Sequence, residues 1–232
     1  MLRTRPSAKA KVAKVAEQGD ITVEAYSPRY LAAFAELIGV EGGFVNDPVD
    51  RGGATKYGIS LRFLKSEGAF DEDGDGIAEF DLDMDGDIDG IDIRDLTIAD
   101  AKVIYRKFFW DMVEAERLPR PLGEMVFDQA VNGGRLAAKK LLQRAINRCL
   151  IRASTATDRP AMLVSDGNIG PATFVALRWI QGRVTLGVPA LIPAYREVAE
   201  QRYLDIIFRN PSQKRFKNGW VRRARELGRW AQ

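Results

Sequence analysis

The sequence predicts a mainly α-helical protein with one small β-hairpin or irregular region and an acidic insert. Three observations support this fold class. Apolar residues recur at helical spacing through most of the 232-residue chain. Residues 41–59 instead contain five glycines and a proline, which is typical of a hairpin or a folded loop. Residues 71–100 hold thirteen Asp and Glu against one Arg, which marks a separate charged segment.

The first helix is predicted to begin at Ser27 and Pro28. Serine caps helix N-termini, and proline is favoured at the first helical position. Phe34 and Ile38 fall on one face together with the other apolar residues of this stretch. The glycine-rich residues 39–43 then end the helix.

Further helices are predicted along the rest of the chain. A short one covers residues 60–68. Thr97 and Asp100 form a capping box that opens a helix through about Val113. The remaining helical patterns are LGEMVFDQAVNGG, RLAAKKLLQRAINRCLIR, PATFVALRWIQGR, PALIPAYREVAEQRYLDIIFRN and a basic C-terminal segment.

The composition excludes several functions. The chain contains no histidine, which rules out a Ser-His-Asp triad, a Cys-His pair and the usual His-bearing zinc sites. Carboxylates are therefore the natural acid and base candidates in an enzyme. Cys149 is the single cysteine, so an internal disulfide is excluded. No apolar run reaches the length of a membrane span, and no early segment resembles a signal peptide.

The acidic segment predicts calcium binding. It contains the pattern D-x-D-x-D-G twice, beginning at Asp71 and at Asp81. Calcium loops place oxygen ligands at positions 1, 3 and 5 and a glycine at position 6, where the chain turns sharply. The second copy adds acidic residues further on, whereas Leu82 occupies position 12 of the first copy. The predicted metal ligands are Asp71, Asp73, Asp75, Asp81, Asp83, Asp85, Asp87, Asp89 and Asp92.

These loops resemble those of EF-hands and, more closely, those of dockerins, in which Asp often replaces Glu at position 12. The alternative is a solvated, disordered acidic loop, although so many carboxylates in one short span repel one another without a cation. A bound calcium ion is expected to order the loop, while catalysis is expected to need no cofactor.

The segment EGGFVNDPVDRGGATKYGI, residues 41–59, holds the candidate catalytic residues. Glu41 follows a helix C-terminus, where the helix dipole disfavours a carboxylate, so a functional role is the better interpretation. The arrangement resembles that of phage-type lysozymes, in which a Glu, an Asp eight residues further in and a Thr form the catalytic set. Eight residues separate Glu41 from Asp50 here, and four separate Asp50 from Thr55, one fewer than in those enzymes.

Cleavage of a glycosidic bond requires a carboxylic acid that stays partly protonated near neutral pH. Apolar neighbours such as Phe44 and Tyr57 are expected to raise the pKa of Glu41 by desolvation. Asp50 either directs the attacking water, with Thr55, or simply stabilises the turn.

The same segment is more similar to the signature of glycoside hydrolase family 108, the N-acetylmuramidases that include phage endolysins and secretion activator proteins. FDQAVNGG and DGNIGPATFVAL resemble motifs of the peptidoglycan-binding domain that follows in that family. The resemblance covers roughly residues 28–70 and 96–230. It implies a lysozyme-like α+β fold and hydrolysis of the β-1,4 bond after N-acetylmuramic acid, with Glu41 as the general acid.

Two alternative functions remain open. A lytic transglycosylase also relies on one glutamate but forms an anhydro product without water. A calcium-dependent murein-binding structural protein has no catalysis at all. Asp50 argues against the first alternative, and Glu41 argues against the second.

Five further residues are candidates for substrate contact, each with a structural alternative. Asn46 either binds substrate or holds the loop, and Tyr57 either stacks against a sugar or packs in the core. Asp128, Gln129 and Asn132 lie on one helical face. These three residues either reach the cleft, or Asp128 and Asn132 tie helices together through buried hydrogen bonds.

A basic face is predicted on the helix that follows. Lys140, Arg144, Arg148 and Arg152 follow one another at i, i+4 spacing, with no acidic residue between positions 128 and 158. Like charges at this spacing repel, so an anionic partner is expected. Anionic envelope components are favoured over nucleic acid, because no aromatic residues interleave with the charges. The protein's own acidic insert and an ordinary solvated surface are the other interpretations.

These patterns predict three parts. Residues 1–26 form a cationic tail, residues 27–118 a catalytic domain with the acidic insert at 70–96, and residues 119–232 a helical peptidoglycan-binding domain packed on it. Peptidoglycan is the expected partner of a monomeric protein. Without a signal peptide, the protein is expected to be made in the cytoplasm. It is expected to reach the cell wall in the periplasm by holin-type release or as part of a virion.

Overall fold

The structure, a computed structural model, describes residues 26–39, 43–46, 52–72 and 74–231. These residues form two compact units, and the division falls between Phe108 and Phe109. The described chain is mainly helical with a small antiparallel sheet, so the predicted fold class is confirmed. The predicted domain boundary after residue 118 lies further along the chain than this division and stays a prediction.

The first unit contains short helices and a two-stranded hairpin. Its elements are α1 (Pro28–Ile38), β1 (Thr55–Lys56), β2 (Ile59–Ser60), α2 (Leu61–Glu67), α3 (Gly90–Asp95) and α4 (Ile98–Tyr105). A π-helical segment, Arg106–Trp110, follows α4. The predicted helix through about Val113 is therefore present as an α-helix to Tyr105 and as a π-helix to Trp110, because apolar spacing does not distinguish α from π turns.

Local hydrogen bonds start these helices where the sequence predicts. The Ser27 hydroxyl accepts from the Tyr30 N–H at 3.0 Å. Thr97 and Asp100 form the predicted capping box of α4. The Thr97 N–H donates to the Asp100 carboxylate at 2.7 Å, and the Asp100 N–H donates to the Thr97 hydroxyl at 3.2 Å. Such bonds satisfy backbone donors that lack a partner within the helix.

The hairpin is closed by a tight two-residue turn. β1 and β2 pair antiparallel, with Thr55 opposite Ser60. Tyr57 and Gly58 form the turn and have φ values of 52° and 75°. Positive φ at both positions is typical of a type I′ turn, whose twist matches that of the paired strands. Thr55 also pairs with Val45 through an isolated bridge, with N–H···O distances of 2.8 and 2.7 Å.

The core of the first unit joins α1, α4 and the hairpin. Tyr30 is fully buried, and its hydroxyl donates to the Lys102 carbonyl at 2.6 Å. Phe34 meets Tyr105 edge-on, with the ring centroids 5.7 Å apart. The Tyr105 hydroxyl donates in turn to the Tyr57 carbonyl at 3.0 Å. α4 therefore holds both the first helix and the tip of the hairpin.

The second unit is built from longer helices. They are α5 (Leu122–Gly133), α6 (Arg135–Arg152), α7 (Pro171–Gln181), α8 (Gly187–Arg209) and α9 (Lys217–Glu226), with 3-10 turns at Ala115–Arg117, Pro211–Phe216 and Arg229–Ala231. The helices predicted in this part of the chain are confirmed. Within the described ranges, no helix combines the length and the apolar character that a bilayer span requires.

α6 and α8 pack against each other in the core of this unit. Leu142, Ile146, Cys149 and Tyr195 have no exposed surface. Burial raises the pKa of the Cys149 thiol to about 11, so this thiol is protonated at neutral pH.

Candidate active site and acidic loops

The two carboxylates predicted to carry the chemistry, Glu41 and Asp50, lie outside the described residues. The chain on either side of them is described. α1 ends at Gly39, which has a φ of 59°. In the sequence, Glu41 therefore falls between a helix end and the Val45–Thr55 bridge, and Asp50 falls between the two bridge residues.

Thr55 is the candidate catalytic residue that the structure describes. It is half-buried, and its hydroxyl donates to the Gly53 carbonyl at 3.3 Å. The hydroxyl proton is engaged in this bond, while the oxygen keeps its capacity to accept a hydrogen bond. An oxygen in this state can orient a water molecule, which is the role predicted for Thr55.

Asn46 lies on exposed chain next to the bridge. Phe44, Val45 and Asn46 are all exposed, Phe44 by 40% and Val45 by 59%. Two apolar side chains and an amide therefore face solvent on the segment that leads from Glu41 to the hairpin. This position leaves Asn46 accessible to a ligand.

Tyr57 occupies the hairpin tip in a left-handed conformation that few non-glycine residues adopt. Burial raises the pKa of Tyr105 to about 12, so its hydroxyl remains the donor to the Tyr57 carbonyl throughout the physiological pH range. Gly58 makes room for that hydroxyl, because a Cβ atom at this position would lie 2.7 Å from its oxygen. The Tyr57 residue is half-exposed, with the Lys56 ammonium 5.4 Å from the ring centroid.

The two acidic loops share one hydrogen-bond pattern. In each, the N–H groups of the residues at positions 5 and 6 donate to the carboxylate at position 1. The distances are 3.2 and 2.8 Å to Asp71, and 3.2 and 3.0 Å to Asp81. Gly76 and Gly86, at position 6, have φ values of 83° and 102°. The predicted turn at the glycine is therefore present in both loops.

Two groups of three carboxylates come together in the second loop. In each group, one oxygen from every member lies within 4.8 Å of the others: Asp81, Asp83 and Asp85 in the first, and Asp87, Asp89 and Asp92 in the second. Asp81 and Asp92 are buried, with 1% of each residue exposed. Burial raises the pKa of Asp92, although the N–H groups of Asp89 and Leu82 that donate to it act in the opposite direction.

The second loop leads directly into α3, as its resemblance to EF-hand loops predicts. Asp89 caps this helix, and its N–H donates to the Asp92 carboxylate at 2.6 Å, which completes a capping box. At the other end of α3, the Arg94 carbonyl accepts a hydrogen bond from the Lys56 ammonium of β1. The acidic loop is thus joined to the hairpin that carries Thr55 and Tyr57.

The chemistry of the donors fits a calcium ion in the second loop. Every donor in the two groups is a carboxylate oxygen, the type of ligand that calcium takes in proteins. The segment 71–100 offers a single Arg as an internal counter-charge. In the first loop, Asp73 lies outside the described residues, so the placement of its ligand set stays a prediction.

The FDQAVNGG motif ties helices together in the second unit. Arg223 donates to both carboxylate oxygens of Asp128, at 3.1 and 2.8 Å, and so joins α9 to α5. Gln129 is buried and donates to the Tyr203 hydroxyl at 3.2 Å. Asn132 is exposed and donates back to the Asp128 carbonyl at 2.8 Å. Packing therefore accounts for Asp128 and Gln129, and substrate contact by these three residues stays a prediction.

The basic face of α6 is divided by partners that the sequence pattern did not indicate. Arg148 and Arg152 both donate to Glu197 of α8, at 3.1 and 3.2 Å. The two cations nearer the start of α6 instead line a cavity together with Arg202 and Arg209. The sequence patterns above did not single out Arg202 and Arg209. Their spacing of seven residues places both on one face of α8, and this spacing could have indicated them.

Comparison with known families identifies the class of protein. Residues 34–134 match the family described as Glycosyl hydrolase 108, and residues 137–225 match the Predicted Peptidoglycan domain. The first match supports a glycoside hydrolase, and the second supports peptidoglycan as a partner. The match to Glycosyl hydrolase 108 covers the part of the chain that contains Glu41, the hairpin and the acidic insert.

A solved structure, "Structure of Brucella abortus SagA", is similar to the chain. The TM-score is 0.60 at 23% sequence identity, and the match covers 87% of this chain and 92% of that chain. Similarity at this level of identity shows the fold. A search of curated proteins found no match.

Proposed function

We propose that this protein is an N-acetylmuramidase that hydrolyses the β-1,4 bond between N-acetylmuramic acid and N-acetylglucosamine. The observation that carries the proposal is the match to glycosyl hydrolase 108, which spans the whole segment from Glu41 to the hairpin. The helical fold with a small hairpin beside that segment supports the same function. The peptidoglycan domain that follows supplies the substrate class.

In the proposed mechanism, Glu41 protonates the leaving glycosidic oxygen as the general acid. Asp50 directs the attacking water or stabilises the positive charge that develops on the sugar. Thr55 supports this role, because its hydroxyl donates to Gly53 and its oxygen can accept a hydrogen bond from the water. Tyr57 and Asn46 are proposed to contact the glycan, since both are at least half-exposed near the hairpin.

We further propose that calcium binds the second acidic loop in a structural role. The two carboxylate groups and the glycine turn support calcium as the ion. The Lys56–Arg94 hydrogen bond connects this loop to the hairpin, so ordering the loop also steadies the proposed site. Calcium takes no part in bond cleavage in this proposal.

The proposal is tested by digesting purified peptidoglycan with wild type and Glu41→Gln, and by weighing the released muropeptides with mass spectrometry. Wild type is expected to release fragments with reducing-end muramic acid. Glu41→Gln is expected to lower the rate by about 10² to 10⁴, the usual contribution of a general acid. Glu36→Gln, an exposed glutamate of α1, is the matched control and is expected to retain activity.

Each contrary result has a defined meaning. Anhydromuramic products would identify a lytic transglycosylase and remove the role given to Asp50. Binding to peptidoglycan without release of fragments by wild type would contradict the enzymatic proposal. Equal loss in the Glu36 and Glu41 variants would show that the loss is not specific to Glu41 and would contradict its role as the general acid.

A further inference from the structure

The basic face of α6 consists of two halves with different surroundings. Arg148 and Arg152 share the carboxylate of Glu197 across the α6–α8 interface. In the part of the chain that the structure describes, Lys140 and Arg144 form no ion pair, although they continue the same stripe. Glu197 therefore balances part of the charge of Arg148 and Arg152. In the other half, Lys140 helps to lower the pKa of the nearby Asp166 carboxyl, while Arg144 is exposed and open to a partner.

The half of the basic face formed by Lys140 and Arg144 borders a cavity between α6 and α8. The cavity has a volume of about 260 Å³, which suits a short, branched group and is too small for a helix or a folded partner. Its walls are formed by Ala137, Lys140, Leu141, Arg144, Arg202, Asp205, Ile206 and Arg209.

The charged lining of this cavity is predominantly positive. Four cationic side chains face one carboxylate, that of Asp205, which accepts a hydrogen bond from Gln201 at 2.8 Å. Arg202 is held in place, because its guanidinium donates to the Gly133 carbonyl at 2.9 Å. A Cβ atom at Gly133 would lie 3.0 Å from this guanidinium, so the glycine of the FDQAVNGG motif lets it approach. Arg144 and Arg209 are exposed and free to turn towards a ligand.

The remaining lining is apolar. Leu141 is buried, Ala137 and Ile206 are half-buried, and all three belong to the wall of the cavity. A ligand that complements this site carries more than one anionic group and small apolar groups beside them. Guanidinium groups favour carboxylates and phosphates, because they can donate two hydrogen bonds at once to either group.

We propose that this cavity binds the peptide stems of peptidoglycan through their carboxylates. In intact peptidoglycan the lactyl carboxyl of the glycan is consumed in an amide bond, so the anionic groups belong to the stems. Alanine methyl groups of the stems match the apolar wall. The cavity also lies within residues 137–225, the segment that matches the peptidoglycan domain. The inference rests on the proposed function only in taking peptidoglycan as the substrate.

The test is calorimetric titration of the full-length protein with a free stem tetrapeptide, a disaccharide tetrapeptide, a neutral chitin tetrasaccharide and inorganic phosphate. Wild type is expected to bind both peptide ligands and neither of the other two. Arg144→Gln/Arg209→Gln is expected to weaken peptide binding about tenfold or more, the effect of losing charge-assisted hydrogen bonds. Arg148→Gln/Arg152→Gln removes the same net charge from the same face and is expected to change the affinity less than about twofold.

Several outcomes would overturn the inference. Equal weakening by both double variants would indicate general electrostatic attraction, and no weakening by either would place peptide binding elsewhere. Phosphate binding that depends on Arg144 and Arg209 would make the cavity a site for phosphate-bearing polymers. Thermal unfolding checks that each variant is folded. If Arg144→Gln/Arg209→Gln does not fold, the single variant Arg144→Gln is measured instead, with Arg148→Gln as its control.

The peptidoglycan digestion assay separates this inference from the proposed function. If wild type digests peptidoglycan but substitution of Arg144 and Arg209 leaves peptide binding unchanged, the inference about the cavity is overturned and the proposed function is not. Cavity-dependent peptide binding without any digestion would leave the inference standing and overturn the enzymatic proposal.

Discussion

The acidic loops and the basic face of α6 are two strongly charged regions of the chain, and they are built in opposite ways. The Asp81 carboxylate accepts bonds from backbone N–H groups four and five residues away. Arg148 and Arg152 reach Glu197, which is 49 and 45 residues away. The short Asp side chains therefore fix the conformation of the neighbouring backbone, whereas the long Arg side chains join helices that are far apart in the sequence.

This difference has a consequence for stability. The acidic loops concentrate like charge and depend on backbone donors and, in our proposal, on calcium. The second unit rests on packed apolar helices, and most of its described ion pairs are at least partly exposed, although the Glu124 carboxylate that pairs with Arg120 is buried. Calcium should therefore act on the first region, and substitutions in the apolar core of α6 on the second.

The largest effect is expected from the core of α6. Leu142 is fully buried, and Leu142→Ala should lower the free energy of unfolding by about 2–5 kcal/mol through lost burial and a residual cavity. Leu136→Ala on the same helix is the control, because Leu136 is 58% exposed, and it should change stability by less than about 0.5 kcal/mol. Urea denaturation measures both, and a calcium-dependent loss for Leu142→Ala would contradict the separation of the two regions.

Calcium is expected to have the next largest effect. At a concentration 100-fold above its dissociation constant, the ion should stabilise the first unit by about 2.7 kcal/mol. Asp81→Asn should abolish this gain in calorimetric scans, whereas Asp95→Asn, outside the loop, should keep it. The buried thiol of Cys149 reports on the second unit and should stay unreactive with or without calcium. The same gain in the Asp81 variant would refute the calcium proposal.

The hairpin combines a local turn at Tyr57 and Gly58 with a hydrogen bond from Tyr105, which is 48 residues away from Tyr57. Gly58→Ala should cost about 1–2 kcal/mol, because alanine is strained at a φ of 75° and its Cβ meets the Tyr105 hydroxyl. Tyr105→Phe should cost about 1 kcal/mol by removing the hydrogen bond to the Tyr57 carbonyl. The double variant should lose less than the sum of the two, since the phenylalanine ring removes the clashing oxygen. Additive losses in chemical denaturation would show that the two residues are independent.

The smallest effect is expected at Glu197. Its ion pairs with Arg148 and Arg152 are half-exposed, so Glu197→Gln should cost less than about 1 kcal/mol, and less still in 1 M salt. Thermal melts at low and high salt measure this change. A salt-independent loss above about 2 kcal/mol would mean that the pair is structural, and that the division of the basic face needs another explanation.

Features that depend on neighbours within a few residues were predictable from the sequence. The caps at Ser27 and Thr97 and the turns at Gly76 and Gly86 all occur where the local patterns indicate. The reason is that these hydrogen bonds and φ values are settled within about one turn of chain. The candidate catalytic residues Glu41, Asp50 and Thr55 were also named from spacing and resemblance, and their roles are proposals for experiment.

Features that depend on residues far apart in the chain were decided by folding. The pairing of Asp128 with Arg223 spans 95 residues, and the cavity between α6 and α8 draws on side chains from both helices. The sequence marked the basic face of α6 but not which of its cations would meet Glu197. A linear pattern records which side chains share a face of one helix. Which face of another helix lies opposite is set by the packing of apolar surfaces, and that packing placed the charges.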